Sequence, residues 1–93
     1  MAVNWSRRGE YIAKRNHTPA MADEAVTDIA AVVIDPDYNS KTNQSVRTIG
    51  YSTTAGAVLT VITYEEDGVT YGATAFKSNG RDRRYYRQGG TDE

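Results

Sequence analysis

The sequence of 93 residues contains no cysteine and only one histidine, His17. A zinc site needs cysteines or several histidines, and the acidic residues are spaced as helix caps and turns, so we expect neither a metal site nor a cofactor. Small secreted domains usually depend on disulfides, and the lack of cysteine therefore favours a reducing, cytoplasmic setting. The longest apolar stretch, residues 57–64, is interrupted by two threonines and is too short to span a membrane. No apolar run near the N-terminus is long enough for a signal peptide.

The sequence also lacks the familiar enzyme motifs. It has no phosphate-binding glycine loop, no dinucleotide-binding fingerprint, no Gly-x-Ser-x-Gly elbow and no His-Glu-x-x-His pair. The length predicts one domain over residues 1–93, with frayed ends at 1–4 and 88–93. Apolar residues at 39% and charged residues at 25% are typical of an ordinary globular protein.

The net charge of −1 conceals three segments of different sign. Residues 1–17 carry four cations against one acid, residues 18–76 carry two against eight, and residues 77–93 carry five against three. If the two basic ends meet in the fold, they form one cationic face suited to an anionic partner such as RNA. Solvated charge on two surface helices would give the same pattern, and the sequence leaves both interpretations open.

Hydrophobic periodicity predicts an α+β fold with two N-terminal helices, a three-stranded antiparallel sheet and a basic C-terminal helix. We expect the helices to lie on one face of the sheet. The second helix should begin at Thr18-Pro19 and end at Asp35-Pro36. A hairpin loop at residues 65–68 should place Gly68 at a positive φ. The helices are expected at residues 5–16, 18–34 and 79–87, and the strands at residues 45–52, 57–64 and 69–77.

Two positively charged or titratable side chains stand out for their position. Arg47 lies inside a predicted strand, where it either pairs with an acidic residue across the sheet or reaches a scissile phosphate. His17 titrates near neutral pH and could transfer protons, although a surface or capping role at a helix junction is the more ordinary one. The last helix combines guanidinium groups, which bind phosphate bidentately, with tyrosines, which can stack on unpaired bases or pack on the sheet.

Several segments resemble the BrnT-type toxins of bacterial toxin–antitoxin pairs. These segments are Arg47-Thr-Ile-Gly-Tyr-Ser, then Val58-Leu59-x-Val61, and then Lys77 followed by Arg81-Asp82-Arg83-Arg84-x-Tyr86. His17 and Asp35-Pro36 match the family more loosely, and the likeness runs from about Trp5 to Tyr86. Three features depart from the family pattern: Phe76 stands where the family usually has arginine, Asp82 replaces glutamate, and the histidine is displaced.

The resemblance implies a RelE-like fold and a metal-independent endoribonuclease, in which the 2′-hydroxyl attacks the adjacent phosphate and cationic side chains stabilise the transition state. It also implies a cognate antitoxin as partner, often a ribbon-helix-helix dimer. The expected catalytic residues are Arg47, Lys77, Arg83 and His17. The expected RNA-binding residues are Arg81, Arg84, Tyr86, Arg87 and Arg8.

Two other hypotheses use the same basic face. The chain could be a non-catalytic module that holds RNA or DNA, with salt-sensitive binding and no product. Alternatively, the basic helix could dock an acidic protein partner.

Overall fold

A computed structural model of the chain describes residues 3–8, 12–14 and 17–89. Within these residues four antiparallel strands form one sheet in the order β1-β2-β3-β4, and two helices accompany it. The α+β class is confirmed, but the sheet has four strands where three were predicted. The elements are α1 (Pro19–Thr27), β1 (Val32–Ile34), β2 (Ser45–Ser52), β3 (Ala57–Glu66), β4 (Val69–Lys77) and α2 (Gly80–Arg87).

Helix α1 begins where the sequence predicts but ends earlier. The Thr18 hydroxyl accepts a hydrogen bond from the Met21 N–H at 3.2 Å, and Pro19 occupies the first turn. The helix ends at Thr27, because Asp28 adopts an extended ψ of 129°. The Asp28 carboxylate accepts the N–H groups of Ala30, at 3.0 Å, and Tyr51, at 2.8 Å. A side chain that binds the backbone of a neighbouring turn and of a strand favours a helix end at this position.

The prediction of helix over residues 28–34 is wrong, because Val32–Ile34 forms the edge strand β1. It pairs with β2 in an antiparallel register that sets Ile34 opposite Arg47. Three consecutive β-branched residues lose rotamer freedom in a helix and fit well in a strand. Ile29 continues the helical spacing of Ala22, Ala25 and Val26 in the sequence, but in the structure it is fully exposed at 103%.

The β3–β4 hairpin has a tighter turn than predicted. Strand β3 continues to Glu66, and Asp67 and Gly68 alone form the turn, with φ values of 52° and 78°. Two adjacent positive φ values in an Asp-Gly pair are typical of the hairpin turn that matches the twist of the strands. The predicted positive φ of Gly68 is therefore confirmed.

Helix α1 packs on one face of the sheet. The core there joins Ala22 and Ala25 of the helix to Leu59, Val61 and Ala75 of the central strands. Gly50 allows this close packing, since a Cβ atom at this position would lie 1.9 Å from the Ala25 carbonyl oxygen. We call this side of the sheet the α1 face.

Helix α2 lies on the opposite face. Successive side chains of a strand point to opposite sides, so Thr60 points away from the α1 face that Leu59 occupies. The Thr60 hydroxyl donates to Asp82 of α2 at 2.7 Å. The expectation that the helices share one face is therefore wrong, and the sheet is covered by a helix on each side.

The N-terminal segment is held against β4. The Asn4 N–H donates to the Thr70 carbonyl at 2.8 Å, and the Gly72 N–H donates to the Asn4 carbonyl at 2.9 Å. Asn4 is therefore not frayed, in contrast to the prediction for residues 1–4, because β4 offers it an open edge. Trp5 is buried.

Of the predicted helix at 5–16, residues 12 and 13 are helical, while 9–11 and 15–16 lie outside the described residues. Residues 1–2 and 90–93, where frayed ends were predicted, also lie outside them. None of the helices in the described ranges is long and apolar enough to cross a membrane.

Candidate nucleic-acid interface

Arg47 lies in a buried ion-pair network on the face of the sheet that helix α2 covers. Its side chain is only 3% exposed, and it donates from Nε to Asp37 at 2.6 Å and from Nη1 to Asp82 at 2.5 Å. Burial by itself lowers the pKa of Arg47, but the hydrogen bonds and charges of the two carboxylates outweigh burial and raise it. Of the two alternatives that the sequence left open, the structure therefore contains the ion pair. Arg47 is not free to bind a phosphate.

The same network fixes α2 to the sheet. Asp82 is fully buried, and its carboxylate also accepts the hydroxyls of Tyr38, at 2.5 Å, and Thr60, at 2.7 Å. The Phe76 ring flanks the buried Arg47, with its centroid 5.9 Å from the guanidinium.

Helix α2 presents four exposed guanidinium groups on a well-capped helix. The Asn79 side chain accepts the Asp82 N–H at 2.8 Å, and this cap fixes the first turn. Asp82 is buried against the sheet, Tyr85 and Tyr86 are half-buried, and the arginines of the helix are exposed. The exposed arginines of α2 are Arg81, Arg83, Arg84 and Arg87.

Two of the four expected catalytic residues, His17 and Lys77, lie near each other at the end of β4, and Arg83 approaches the same strand end from helix α2. Lys77 pairs with Leu59, so its side chain lies on the α1 face. His17 is close enough for the charge of Lys77 to affect its pKa, which is lowered first by burial and then by that charge. The Arg83 guanidinium donates at 2.6 Å to the carbonyl of Ser78, the residue that follows Lys77. We call His17, Lys77 and Arg83 the β4-end cluster.

The imidazole of His17 is mostly buried, at 9% exposure. Its Nδ1 is buried and has no hydrogen-bond partner among the described residues. A buried histidine with a lowered pKa is neutral at neutral pH, which is the state that a general base requires. Arg47, the fourth expected catalytic residue, lies on the other face of the sheet from Lys77.

Tyr86, predicted to bind RNA, is engaged inside the protein. Its hydroxyl donates to the Asp28 carboxylate at 2.6 Å. This hydrogen bond, with burial as the smaller cause, raises the pKa of Tyr86 to about 12. Tyr86 therefore joins α2 to the turn that follows α1 and leaves no hydroxyl for RNA.

Arg7 lies at the other end of the sheet from α2. Arg7 forms an ion pair with Glu66 at 2.8 Å and stacks on the Tyr71 ring, with 3.8 Å from its guanidinium carbon to the ring centroid. Arg8 is exposed and belongs to the same turn. Tyr71 and Lys77 are six residues apart on β4, which is roughly 20 Å of strand. The structure therefore does not join Arg7 with the arginines of α2 in one continuous face.

Two residues of this interface carried no sequence signal. Asp37 and Tyr38 belong to a polar loop whose composition indicates only a turn, yet they complete the network around Arg47. Arginine inside a strand was the one available sign that a buried carboxylate must lie nearby.

Within the residues that the structure describes, no group of three or more potential ligands could hold a metal ion. Comparisons of the chain with models of protein families, with curated proteins and with solved structures found no match.

Proposed function

We propose that the chain is a metal-independent endoribonuclease and the toxin of a bacterial toxin–antitoxin pair, acting in the cytoplasm on RNA. The observation that supports this most is the β4-end cluster, in which a buried histidine with a lowered pKa lies near Lys77, and Arg83 binds the carbonyl of the residue after that lysine. The sequence resemblance to BrnT-type toxins supports the same function. A small antitoxin, such as a ribbon-helix-helix dimer, would be the partner that blocks the activity.

In this mechanism His17 takes the proton of a ribose 2′-hydroxyl, and the 2′-oxygen attacks the neighbouring phosphorus. Lys77 and Arg83 stabilise the additional negative charge on the phosphorane oxygens. The bond from phosphorus to the 5′-oxygen then breaks, and that oxygen takes a proton from water. Protonated His17 gives its proton to the hydroxide that remains, which restores the base. The products are a 2′,3′-cyclic phosphate and a 5′-hydroxyl.

The decisive experiment is incubation of the purified chain with total RNA in EDTA, followed by gel analysis and end-group mapping. Lys77→Met should reduce the cleavage rate by about a hundredfold, as the loss of one donor to a developing oxyanion commonly does. Lys41→Met makes the same change at an exposed loop cation and should leave the rate unchanged. Absence of cleavage by the wild-type chain, together with normal growth when it is expressed alone, would reject the enzyme.

The role of His17 is tested by the pH dependence of the cleavage rate. Since its pKa lies below the ordinary 6.5, the rate should rise with pH on a limb centred below that value and then level off. His17→Gln should abolish this limb and lower the rate, while circular dichroism shows a folded protein. An unchanged pH profile in His17→Gln would contradict the assignment of His17 as the base.

A second candidate function is a non-catalytic nucleic-acid-binding module. Two observations favour it: Arg47 is neutralised by two carboxylates, and His17 is only 9% exposed. This module would bind RNA with an affinity that falls steeply with salt and would release no product. Binding without cleavage in the wild-type chain would select it over the ribonuclease. Cleavage that is lost in Lys77→Met and kept in Lys41→Met would reject it.

A further inference from the structure

The exposed guanidinium of Arg81 is held by aromatic rings. Its central carbon lies 3.9 Å from the centroid of the Tyr38 ring and 5.9 Å from that of the Tyr85 ring. The two rings lie 6.3 Å apart at an interplanar angle of 30°. The guanidinium also forms a hydrogen bond with Tyr85. A planar guanidinium held in this way retains further N–H groups for ligands and loses less entropy when it binds one.

Tyr38 is itself fixed, because its hydroxyl donates to the buried Asp82 at 2.5 Å. The Arg47 guanidinium lies 4.1 Å from the same ring, but its charge is balanced by Asp37 and Asp82. Among the described residues, Arg81 has no carboxylate within ion-pair distance. Of the two guanidinium groups over the Tyr38 ring, that of Arg81 is therefore the one available to an external anion.

Arg81 opens onto a small cavity on one flank of α2. Arg81, Arg84, Tyr85 and Gln88 line a space of about 210 Å³, and their spacing places them on one side of the helix. Two cations and no carboxylate line this space. Arg83, which belongs to the β4-end cluster, projects from a different flank, since consecutive helix positions are about 100° apart.

We propose that this cavity is a phosphate subsite, in which Arg81 and Arg84 bind one phosphodiester group of single-stranded RNA and Tyr38 is the positioning residue that holds Arg81. The inference rests on the proposed function in one respect, namely that RNA is the ligand. It adds a second phosphate contact, on another flank of α2 from the cluster proposed to cleave. A strand that crosses α2 is thereby held at two points.

The test measures binding of a fluorescent 2′-O-methyl RNA 12-mer by anisotropy over a range of salt concentrations. This probe lacks the attacking hydroxyl, so binding is observed without cleavage. Arg81→Gln and Arg84→Gln should each weaken binding about three- to tenfold and reduce the slope of log affinity against log salt by about 0.7. Both substitutions are at exposed positions and should leave the fold intact. Lys41→Gln is the matched control and should change neither quantity.

The Tyr38 variants separate positioning from structure. Tyr38→Phe keeps the ring and loses only the hydrogen bond to Asp82, so its affinity should stay within about twofold of wild type. Tyr38→Leu removes the ring and should approach the affinity of Arg81→Gln. The double variant Tyr38→Leu/Arg81→Gln should bind no more weakly than Arg81→Gln alone, because Tyr38 acts through Arg81. Additive losses would overturn the positioning role.

Three outcomes would overturn the subsite: unchanged affinity and salt slope in both arginine variants, equal loss in Lys41→Gln, or displacement of the RNA by polyglutamate at matched charge. The last result would indicate an acidic protein as the ligand. Binding of the modified RNA with no cleavage of unmodified RNA would reject the proposed enzyme and leave the subsite standing. Normal cleavage with unchanged binding in Arg81→Gln would reject the subsite alone.

Discussion

Replacing Arg47 by methionine should destabilise the fold rather than act on a catalytic step. The substitution leaves Asp37 and Asp82, which are 6% and 0% exposed, without their cation. Removing one partner of a buried ion pair typically costs about 3–5 kcal/mol, because the remaining charge is not solvated. A domain of this size has a total free energy of unfolding of roughly 5–14 kcal/mol, so the loss is a large part of it.

The assay is urea denaturation followed by circular dichroism, together with a thermal melt. At about 4–8 °C per kcal/mol, Arg47→Met should lower Tm by at least about 12 °C. Lys41→Met provides the control, since the same change at an exposed loop position should cost no more than about 0.5 kcal/mol. Adding Asp82→Asn to Arg47→Met should cost less than the sum of the two single changes, because one uncompensated carboxylate is removed.

A loss below about 1 kcal/mol in Arg47→Met would refute this reasoning, since it would mean that water readily replaces the guanidinium. A variant that keeps the wild-type Tm but loses RNA cleavage would instead return Arg47 to the catalytic residues. The prediction thus separates a structural arginine from a catalytic one. It also explains why Arg47 is a poor position for testing the nuclease.

Three further predictions concern the packing of the helices. Hydrogen bonds from Ser52 and then Thr54 lower the pKa of Glu24 to about 2, so the stability that its ionised form contributes should be lost as pH falls from 4.5 towards 2. The urea midpoint of Glu24→Gln should therefore vary less with pH over this window than that of the wild type. The same pH dependence in both proteins would count against the contact. Gly50→Ala places a Cβ against the Ala25 carbonyl and should cost about 2 kcal/mol or more in urea denaturation, whereas a neutral result would show that α1 shifts freely. Asn79→Ala removes the cap of α2 and should cost about 1 kcal/mol, with Asn79→Ser close to wild type in the same assay.

Local sequence signals predicted the elements that local interactions determine. Strands β2 and β4 have the predicted bounds, α2 begins one residue later than predicted, and the Thr18-Pro19 start of α1 is correct. In each case the deciding groups lie within the element or beside it. A capping hydroxyl, a proline in the first turn and an alternating strand act on their immediate neighbours.

Strand β1 was missed because its deciding contacts are distant in sequence. The spacing of Ala22, Ala25, Val26 and Ile29 continues a helical pattern, and nothing local interrupts it before Asp35-Pro36. Asp28 ends the helix by binding the backbone of Tyr51, 23 residues further along the chain. Val32–Ile34 then completes a sheet edge that exists only once β2 has formed.

The candidate site was predictable in its residue types more than in its geometry. The sequence singled out Lys77, Arg83 and His17. The fold places His17 near Lys77, and it places Arg83 of α2 against the carbonyl of Ser78. It could not place Arg47 on the opposite face, since the partner Asp82 is 35 residues away and Asp37 belongs to a loop without periodicity. Tyr38, which holds Arg81, has no local signal at all.

Whether a cation is paired with a carboxylate, rather than the net charge of its segment, decides whether it can attract an anion such as RNA. The basic N-terminal segment is partly neutralised, because Arg7 is paired with Glu66 of the acidic middle. Arg47 is neutralised by two carboxylates, that of Asp37 in the acidic middle segment and that of Asp82 in helix α2. The guanidiniums of α2 keep their charge, since its only acid, Asp82, is buried against Arg47 and faces away from solvent. A protein with a net charge of −1 can therefore present a strongly cationic helix, and the field of that helix would attract an anion such as the phosphate of the proposed RNA ligand.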